Sequence, residues 1–547
     1  MRPPGGQGDQ PPDGLTYSSG HGRWVLLATV LGSAMASIDA TVVGIALPAI
    51  GKEFDASLAD LQWVVTAYTL TLAGLLLFAG ALGDKYGRKK IFLIGVIWFA
   101  VASLLCSAAT DDKVLIGARA LQGVGAALLT PGSLAIIEAS FRPDDRSKAI
   151  GAWSGFAGVG TAIGPFLGGW LIQAVSWRLI FVINLPVAAL VVAVALRHVP
   201  ESRDETATGP VDVTGGVLVT LGLIGLTYGL IDGPSAGWSS PAPLAALGIG
   251  VVLLAAFVAW ERRAAEPVLP LSLFRSVQFS SANIVTFAVY AALGGALFLL
   301  PIQLEQVSGY TPLQAGISLL PVTAIMLALS ARSGALAARI GPRLQMSAGP
   351  VVIAIGLALF ARIGPSGDYA GEVLPAVLVF GFGLAINVAP LTSTVLSAVS
   401  SEHAGAASAV NNDVARAASL IAVAVLPAAA GLSGASYTHP AQFSAGFRMA
   451  VFISAGLCVG GGILAALTIR NPRRAGRPAE VAPVPTAASA VAEGTEPAAV
   501  AEGAGMADGA RPADGAWVAE GARVPRSVPA AEPVLHCGLD APPARCP

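Results

Sequence analysis

The sequence predicts an all-α polytopic membrane protein with 14 transmembrane helices arranged 6 + 2 + 6 and both termini cytoplasmic. Three observations lead there. Of 547 residues, 54% are hydrophobic and only 12% are charged, with a mean hydropathy of +0.70. A soluble domain carries about 25% charged residues. The apolar residues form long runs, each near the roughly 20 residues that a helix needs to cross a bilayer core. A glycine-rich charged turn, Gly80-Ala-Leu-Gly-Asp-Lys-Tyr-Gly-Arg-Lys-Lys90, has a second copy, Gly334-Ala-Leu-Ala-Ala-Arg-Ile-Gly-Pro-Arg343.

In chain order the apolar runs cover 24–47, 60–82, 90–110, 113–137, 148–172, 177–197, 211–231, 242–261, 279–303, 313–333, 344–363, 371–396, 406–430 and 447–469. Each is expected to be helical, because an isolated backbone cannot leave its N–H and C=O groups unpaired in lipid. Basic residues cluster after the even-numbered runs: Lys85, Arg88, Lys89 and Lys90, then Arg142, Arg146 and Lys148, then Arg203, Arg262, Arg263, Arg275 and Arg339. The loops after odd-numbered runs carry little beyond Lys52 and Lys113. This asymmetry sets the even loops, and with them both termini, on the cytoplasmic side.

The two charged turns follow the second and the tenth run. Two six-helix halves would put the second copy after the eighth, so one extra pair lies between them, near 211–261. The expected division is a disordered N-terminal tail (1–22), a six-helix bundle (23–198), two extra helices with flanking loops (199–270), a second six-helix bundle (271–472) and a disordered tail rich in Ala, Gly and Pro (473–547). That tail has too few large apolar residues to fold. The net charge of −1 gives no reason to expect nucleic acid, and Cys106, Cys458, Cys537 and Cys546 have no metal-ligand spacing. No Walker-type loop, metal cluster or nucleophile is evident, so no enzymatic activity, no cofactor and no obligatory protein partner are expected.

The stretch Gly80-x-Leu-x-Asp-x-x-Gly-Arg-Lys resembles the signature between helices 2 and 3 of the major facilitator superfamily. Asp39-Ala-Thr-Val-Val-Gly-Ile-Ala-Leu-Pro48, Arg119-Ala-Leu-Gln-Gly-Val-Gly-Ala-Ala127 and Gly160-Thr-Ala-Ile-Gly-Pro-Phe-Leu-Gly-Gly169 are similar to first-, fourth- and fifth-helix motifs of its fourteen-span drug:proton antiporters, the EmrB/QacA type. Trp177-Arg-Leu-Ile-Phe-Val-Ile-Asn-Leu-Pro186, Gly309–Gly316 and Gly405–Asn412 follow in the family's order, so the resemblance covers about 23–470. Two departures stand out: Gly44 where the first-helix motif usually has Asn, and Ala338 where the first charged turn has Asp84.

Asp39 lies deep in the first run, where an acid costs about 2.5–3.5 kcal/mol to insert. It reads either as a proton site that also meets cationic substrates, or as a structural acid bonded to Ser37 or Thr41. Arg119 should face the bundle interior, and the resemblance implies a part in proton coupling, with Gln122 beside it. Tyr68, Asn411, Asn412, Asp413 and Gln122 are candidate substrate contacts. Trp63, Trp153 and Phe382 are candidate aromatic ones. Gly80, Asp84, Gly87, Arg88, Glu138 and Arg146 are expected to form a cytoplasmic gate. Gly160, Gly164, Pro165, Gly168 and Gly169 suit close, pliable helix packing. That this motif points to antiport is implied by the resemblance alone.

The expectation is therefore proton-coupled export of small amphipathic compounds across the cytoplasmic membrane by alternating access. It needs a lipid bilayer, a small-molecule substrate and protons. The alternatives are symport or exchange of a defined metabolite, and a membrane sensor that does not transport.

Overall fold

The computed structural model describes residues 14–204, 211–264, 267, 269–400, 403–432 and 439–471, without the side chains of 157–159, 161 and 162. The expectation for 473–547 lies outside these residues, as do Cys537 and Cys546. The described part is helical, with one isolated β-bridge between Leu15 and Phe141.

The helices are α1 (Gly20–Phe54), α2 (Leu58–Tyr86), α3 (Arg88–Ser107), α4 (Asp112–Ser140), α5 (Pro143–Ala174), α6 (Leu179–His198), α7 (Val213–Ala236), α8 (Pro241–Glu261), α9 (Val277–Val307), α10 (Pro312–Ile340), α11 (Pro342–Phe360), α12 (Tyr369–Ser397), α13 (Ala404–Ala429) and α14 (Pro440–Thr468). By length and composition, 13 of them could cross a membrane, and α5 has 32 residues. Their outward faces expose large apolar side chains such as Ile97, Trp98, Trp170, Val252, Phe452 and Leu467, as lipid contact requires.

Local chemistry sets the helix starts. Ser57 and Asp60 form a capping box at α2, Thr311 and Gln314 another at α10, and the Asp111 carboxylate accepts from the Val114 N–H at α4. The first charged turn ends α2 at Gly87, with φ +113°, and the second ends α10 at Gly341, with φ +89°. Side chains disfavour this backbone, which explains why both copies keep glycine there. In each half the chain leaving the sixth helix folds back to cap the third. Glu201 accepts from the N–H groups of Lys89 (3.0 Å) and Lys90 (3.2 Å), and Asn471 accepts from that of Arg343 (3.0 Å).

One expectation needs correcting. Residues 14–22 are not a loose tail: the Leu15 N–H donates to Ser140 O, the Arg142 N–H donates to Leu15 O, and α1 begins at Gly20 behind a Ser19 cap. Pairing with the α4–α5 turn satisfies this backbone in a way the local composition does not announce.

Helix pairs recur. The contacts α1–α5, α1–α6, α2–α4, α3–α4 and α3–α6 have counterparts in α9–α13, α9–α14, α10–α12, α11–α12 and α11–α14. The α7–α8 hairpin packs through α7 on α2 and α13. Two contacts cross between the repeats in equivalent ways, α5 with the start of α10 and α13 with α2. The largest apolar core includes Val42, Leu61 and Trp177 together with Phe298, Leu300 and Leu426, joining the repeats at the end opposite the basic turns. A second core, with Val25, Phe92, Phe99 and Ile136, stays within the first repeat. The repeats are thus sealed at one end and parted at the other.

Candidate functional site

A cavity of about 1510 Å³ lies between the repeats and runs toward the basic end, where Asp84, Glu138 and Gly405 line it. Its opposite end is shut by direct backbone contact. A Cβ on Gly169 would lie 2.5 Å from Pro312 O, and one on Gly316 would press into the Pro165 carbonyl. Gln62 adds a hydrogen bond across the same end, donating to Val423 O at 2.6 Å.

Beside the cavity, within the first repeat, five helices converge on a buried charged cluster. Asp39 of α1 and Arg119 of α4 are 2% and 1% exposed and form an ion pair. Arg119 Nη1 also donates to Gln122 Oε1 (2.6 Å), and its Nε donates to Val64 O of α2 (3.1 Å). Gln122 Nε2 donates to Asp39 Oδ1 (2.7 Å) and to Ser103 Oγ of α3 (2.8 Å). Asn184 of α6 donates to the same two acceptors at 3.2 Å. Both carboxylate oxygens are therefore engaged, which is the condition for carrying a buried charge without a large penalty.

Tyr68 stands between this cluster and the cavity. It lines the cavity, and its ring lies 4.3 Å from Arg119 Cζ, a cation–π contact shielded from water. On α1, Ala36, Ser37, Ala40 and Thr41 face the cavity, whereas Asp39 faces the bundle. The structural alternative of bonds to Ser37 or Thr41 does not occur, because Thr41 Oγ1 donates to Ile38 O and Ser37 O. Asp39, expected to meet cationic substrates, is not among the residues that line the cavity. Gln122, expected at the substrate, belongs wholly to the charged cluster.

The second repeat supplies the facing wall. Asn411 lines the cavity and donates to Asn283 (3.0 Å) and Thr286 (2.8 Å). Asn412 and Arg416 line it too, whereas Asp413, three residues before Arg416, stays outside the lining with its Oδ1 shut off from solvent. Of the aromatic candidates, Trp153 lines the cavity and donates to Ser33 Oγ (2.9 Å). Trp63 instead donates to Asp232 of α7 (3.1 Å), and Phe382 is exposed on the outside.

The residues expected to form a gate separate into two groups. Gly80, Asp84 and Glu138 reach the cavity rim. Arg88 pairs with Asp84 at 2.8 Å inside its own turn, and Gly87 packs against Glu201. Arg146 does not join them; its Nε donates to Phe141 O at 3.0 Å. The glycines of α5 make the close contacts their spacing suggests. Gly160 faces Ala34, Gly164 faces Thr41 and Gly168 faces Val42, all on α1, while Gly169 faces α10. No cluster able to hold a metal occurs among the described residues.

Sequence reasoning missed Ser103, Asn184 and Glu201 as partners. Asn184 had left a signal, a lone amide inside the apolar stretch Leu179–Pro186. Ser103 had none, because a serine in a long apolar run normally satisfies itself on its own helix.

The sequence matches the Major Facilitator Superfamily over residues 29–424. It is 35% identical over 424 residues to the tetracenomycin C resistance and export protein of Streptomyces glaucescens, covering 76% of this chain and 78% of that one. It is 37% identical over 402 residues to the multidrug resistance protein Stp of Mycobacterium tuberculosis, covering 73% and 74%. Among solved structures, the POT family transporter PepTSo has the same fold, with a TM-score of 0.60 at 15% identity over 82% of this chain and 97% of that one. On the family match and these relatives, the chain belongs to the Major Facilitator Superfamily.

Proposed function

We propose that this transporter exports small amphipathic drug-like compounds in exchange for protons, as a fourteen-span carrier of the EmrB/QacA type in the cytoplasmic membrane. The two relatives named above, one an antibiotic resistance and export protein and the other a multidrug resistance protein, support the substrate class. The observation that carries the proton reading is the Asp39–Arg119–Gln122–Asn184 cluster, separated from the cavity by the Tyr68 ring. The repeated helix pairs and the α7–α8 hairpin support two six-helix bundles with an inserted pair. The basic turns favour a cytoplasmic position for the open end and for both termini.

In this reading substrate enters from the cytoplasm while the opposite end is closed. Rocking of the bundles then breaks the α5–α10 and α2–α13 contacts and opens the cavity outward. A proton reaching Asp39 cancels its charge. Arg119 would keep Gln122, Val64 O and the Tyr68 face as partners, so the cation is not stranded when the acid is neutralised. Coupling needs only that proton and substrate favour different states.

The test uses inverted membrane vesicles with an imposed proton gradient. Added substrate should dissipate the gradient in the native protein and leave it intact in Asp39→Asn. Dissipation that survives Asp39→Asn refutes the assignment of the proton site. Co-movement of proton and substrate in the same direction indicates symport and refutes export.

A further inference from the structure

The charges that line the cavity are unevenly placed. Among the described residues they are Asp84, Lys85, Glu138, Asp204, Asp212 and Arg416. Asp84, Lys85 and Glu138 lie in the last turns of α2 and α4, and Asp204 and Asp212 flank the chain entering α7. These five belong to the mouth. Arg416 alone lies deep: it is 12 residues into α13, about 18 Å along the helix at 1.5 Å per residue.

Asp413 of the same helix is close enough to feel the Arg416 charge, but among the described residues no carboxylate pairs directly with Arg416. The Arg416 Nε is shut off from solvent without a hydrogen-bond partner, and Asp413, one turn earlier, does not line the cavity. Asp39 of the first repeat is outside the cavity lining and already paired to Arg119. The deep cavity therefore presents one unpaired guanidinium beside the amide of Asn412 and the hydroxyl of Ser419, among apolar surfaces such as Leu293, Leu420 and Leu72. A guanidinium of this kind is a forked donor with no acceptor capacity, suited to carboxylates, phenolates and sulfonates. In a cavity walled by low-dielectric side chains its field opposes the entry of a cation.

We infer that Arg416 anchors the substrate, and that the cavity takes amphipathic organic anions in preference to lipophilic cations. This rests on the proposed export reading for the cavity as the binding site, and it reverses the sequence-based expectation that an acid meets cationic substrates.

The experiment compares two dyes with one ring system and opposite charge, fluorescein as the anion and rhodamine 6G as the cation. Their binding to the full-length protein in nanodiscs is followed by fluorescence polarisation. Fluorescein should bind more tightly than rhodamine 6G. Arg416→Gln should weaken fluorescein about tenfold, the scale of a lost charge-assisted hydrogen bond, and leave rhodamine 6G unchanged or tighter. Arg416→Lys should restore part of the fluorescein affinity. Tighter binding of rhodamine 6G to the native protein, or equal weakening of both dyes by Arg416→Gln, overturns the inference while leaving the cavity as the binding site. Binding of neither dye overturns the cavity reading itself and the inference with it.

Discussion

Replacing Gly316 with alanine should push the transporter out of the state described above. Gly316 is buried in the first turns of α10, where the chain meets α5. An added Cβ would lie 2.8 Å from the Pro165 carbonyl carbon and closer still to its oxygen. Favourable carbon–carbon contacts lie near 3.5–4.0 Å, so the two helices must separate by about 1 Å. The obstacle is backbone, and no rotamer change relieves it. Overpacking of this kind costs about 1–3 kcal/mol. Because the contact exists only where the opposite end is closed, the cost falls on one state of the cycle. A shift of about 1.4 kcal/mol changes a two-state ratio tenfold, so the expected change is roughly 5- to 150-fold toward the state open at the opposite end. Spin labels at Val175→Cys and Gln442→Cys, in a background with the four native cysteines replaced, report the separation across that end. Gly316→Ala should add a longer population to their distance distribution. Gly405→Ala serves as control, because a Cβ there meets nothing within 4 Å. An unchanged distribution in a folded Gly316→Ala protein, or an equal shift in the control, would refute the reasoning.

Four further outcomes follow from the same geometry. Arg119→Ala strands a buried carboxylate and should lower stability by about 3–5 kcal/mol, read as a fall in melting temperature in detergent; Asp39→Asn with Arg119→Gln together should recover much of it. Asn184→Ala removes one donor from Asp39 and should cost about 1–3 kcal/mol of stability while lowering transport without abolishing it; a loss as complete as that of Asp39→Asn would show that Asn184 does more than position the acid. Gly87→Ala faces both φ +113° and the Glu201 side chain, so it should reduce folded yield by the equivalent of about 1–3 kcal/mol, with Gly341→Ala doing the same against Asn471. Gln62→Leu deletes the bond to Val423 O and should raise labelling at the opposite end by an impermeant thiol reagent, in the same direction as Gly316→Ala.

Much of the fold was legible because the bilayer restricts the choice of structure. Apolar length alone located the helices, and their ends moved by up to seven residues, as at Phe54, Ile340 and Pro440, once caps such as Ser57–Asp60 and Thr311–Gln314 were in view. The Gly-rich turns were legible for a related reason, since Gly87 and Gly341 hold a backbone that other residues avoid. Asp39 and Arg119 stood out because charge inside an apolar run is costly and so rarely accidental.

The sequence by itself determined the helical membrane architecture, the repeated turn and the identity of the buried charges, because each follows from local composition and spacing. Only the tertiary structure decided what those charges meet. Rotating α1 about its axis chooses whether Asp39 faces the cavity or the bundle, and no run of apolar residues records that angle. Packing settled it: Arg119, Gln122 and Asn184 supply the donors inside the first repeat, while Ala40 and Thr41 face the cavity. On α13 the same rotation sets Arg416 in the cavity lining and leaves Asp413, three residues earlier, just outside it. Helix faces are set by contacts among residues far apart in the chain, and those contacts exist only in the assembled bundle.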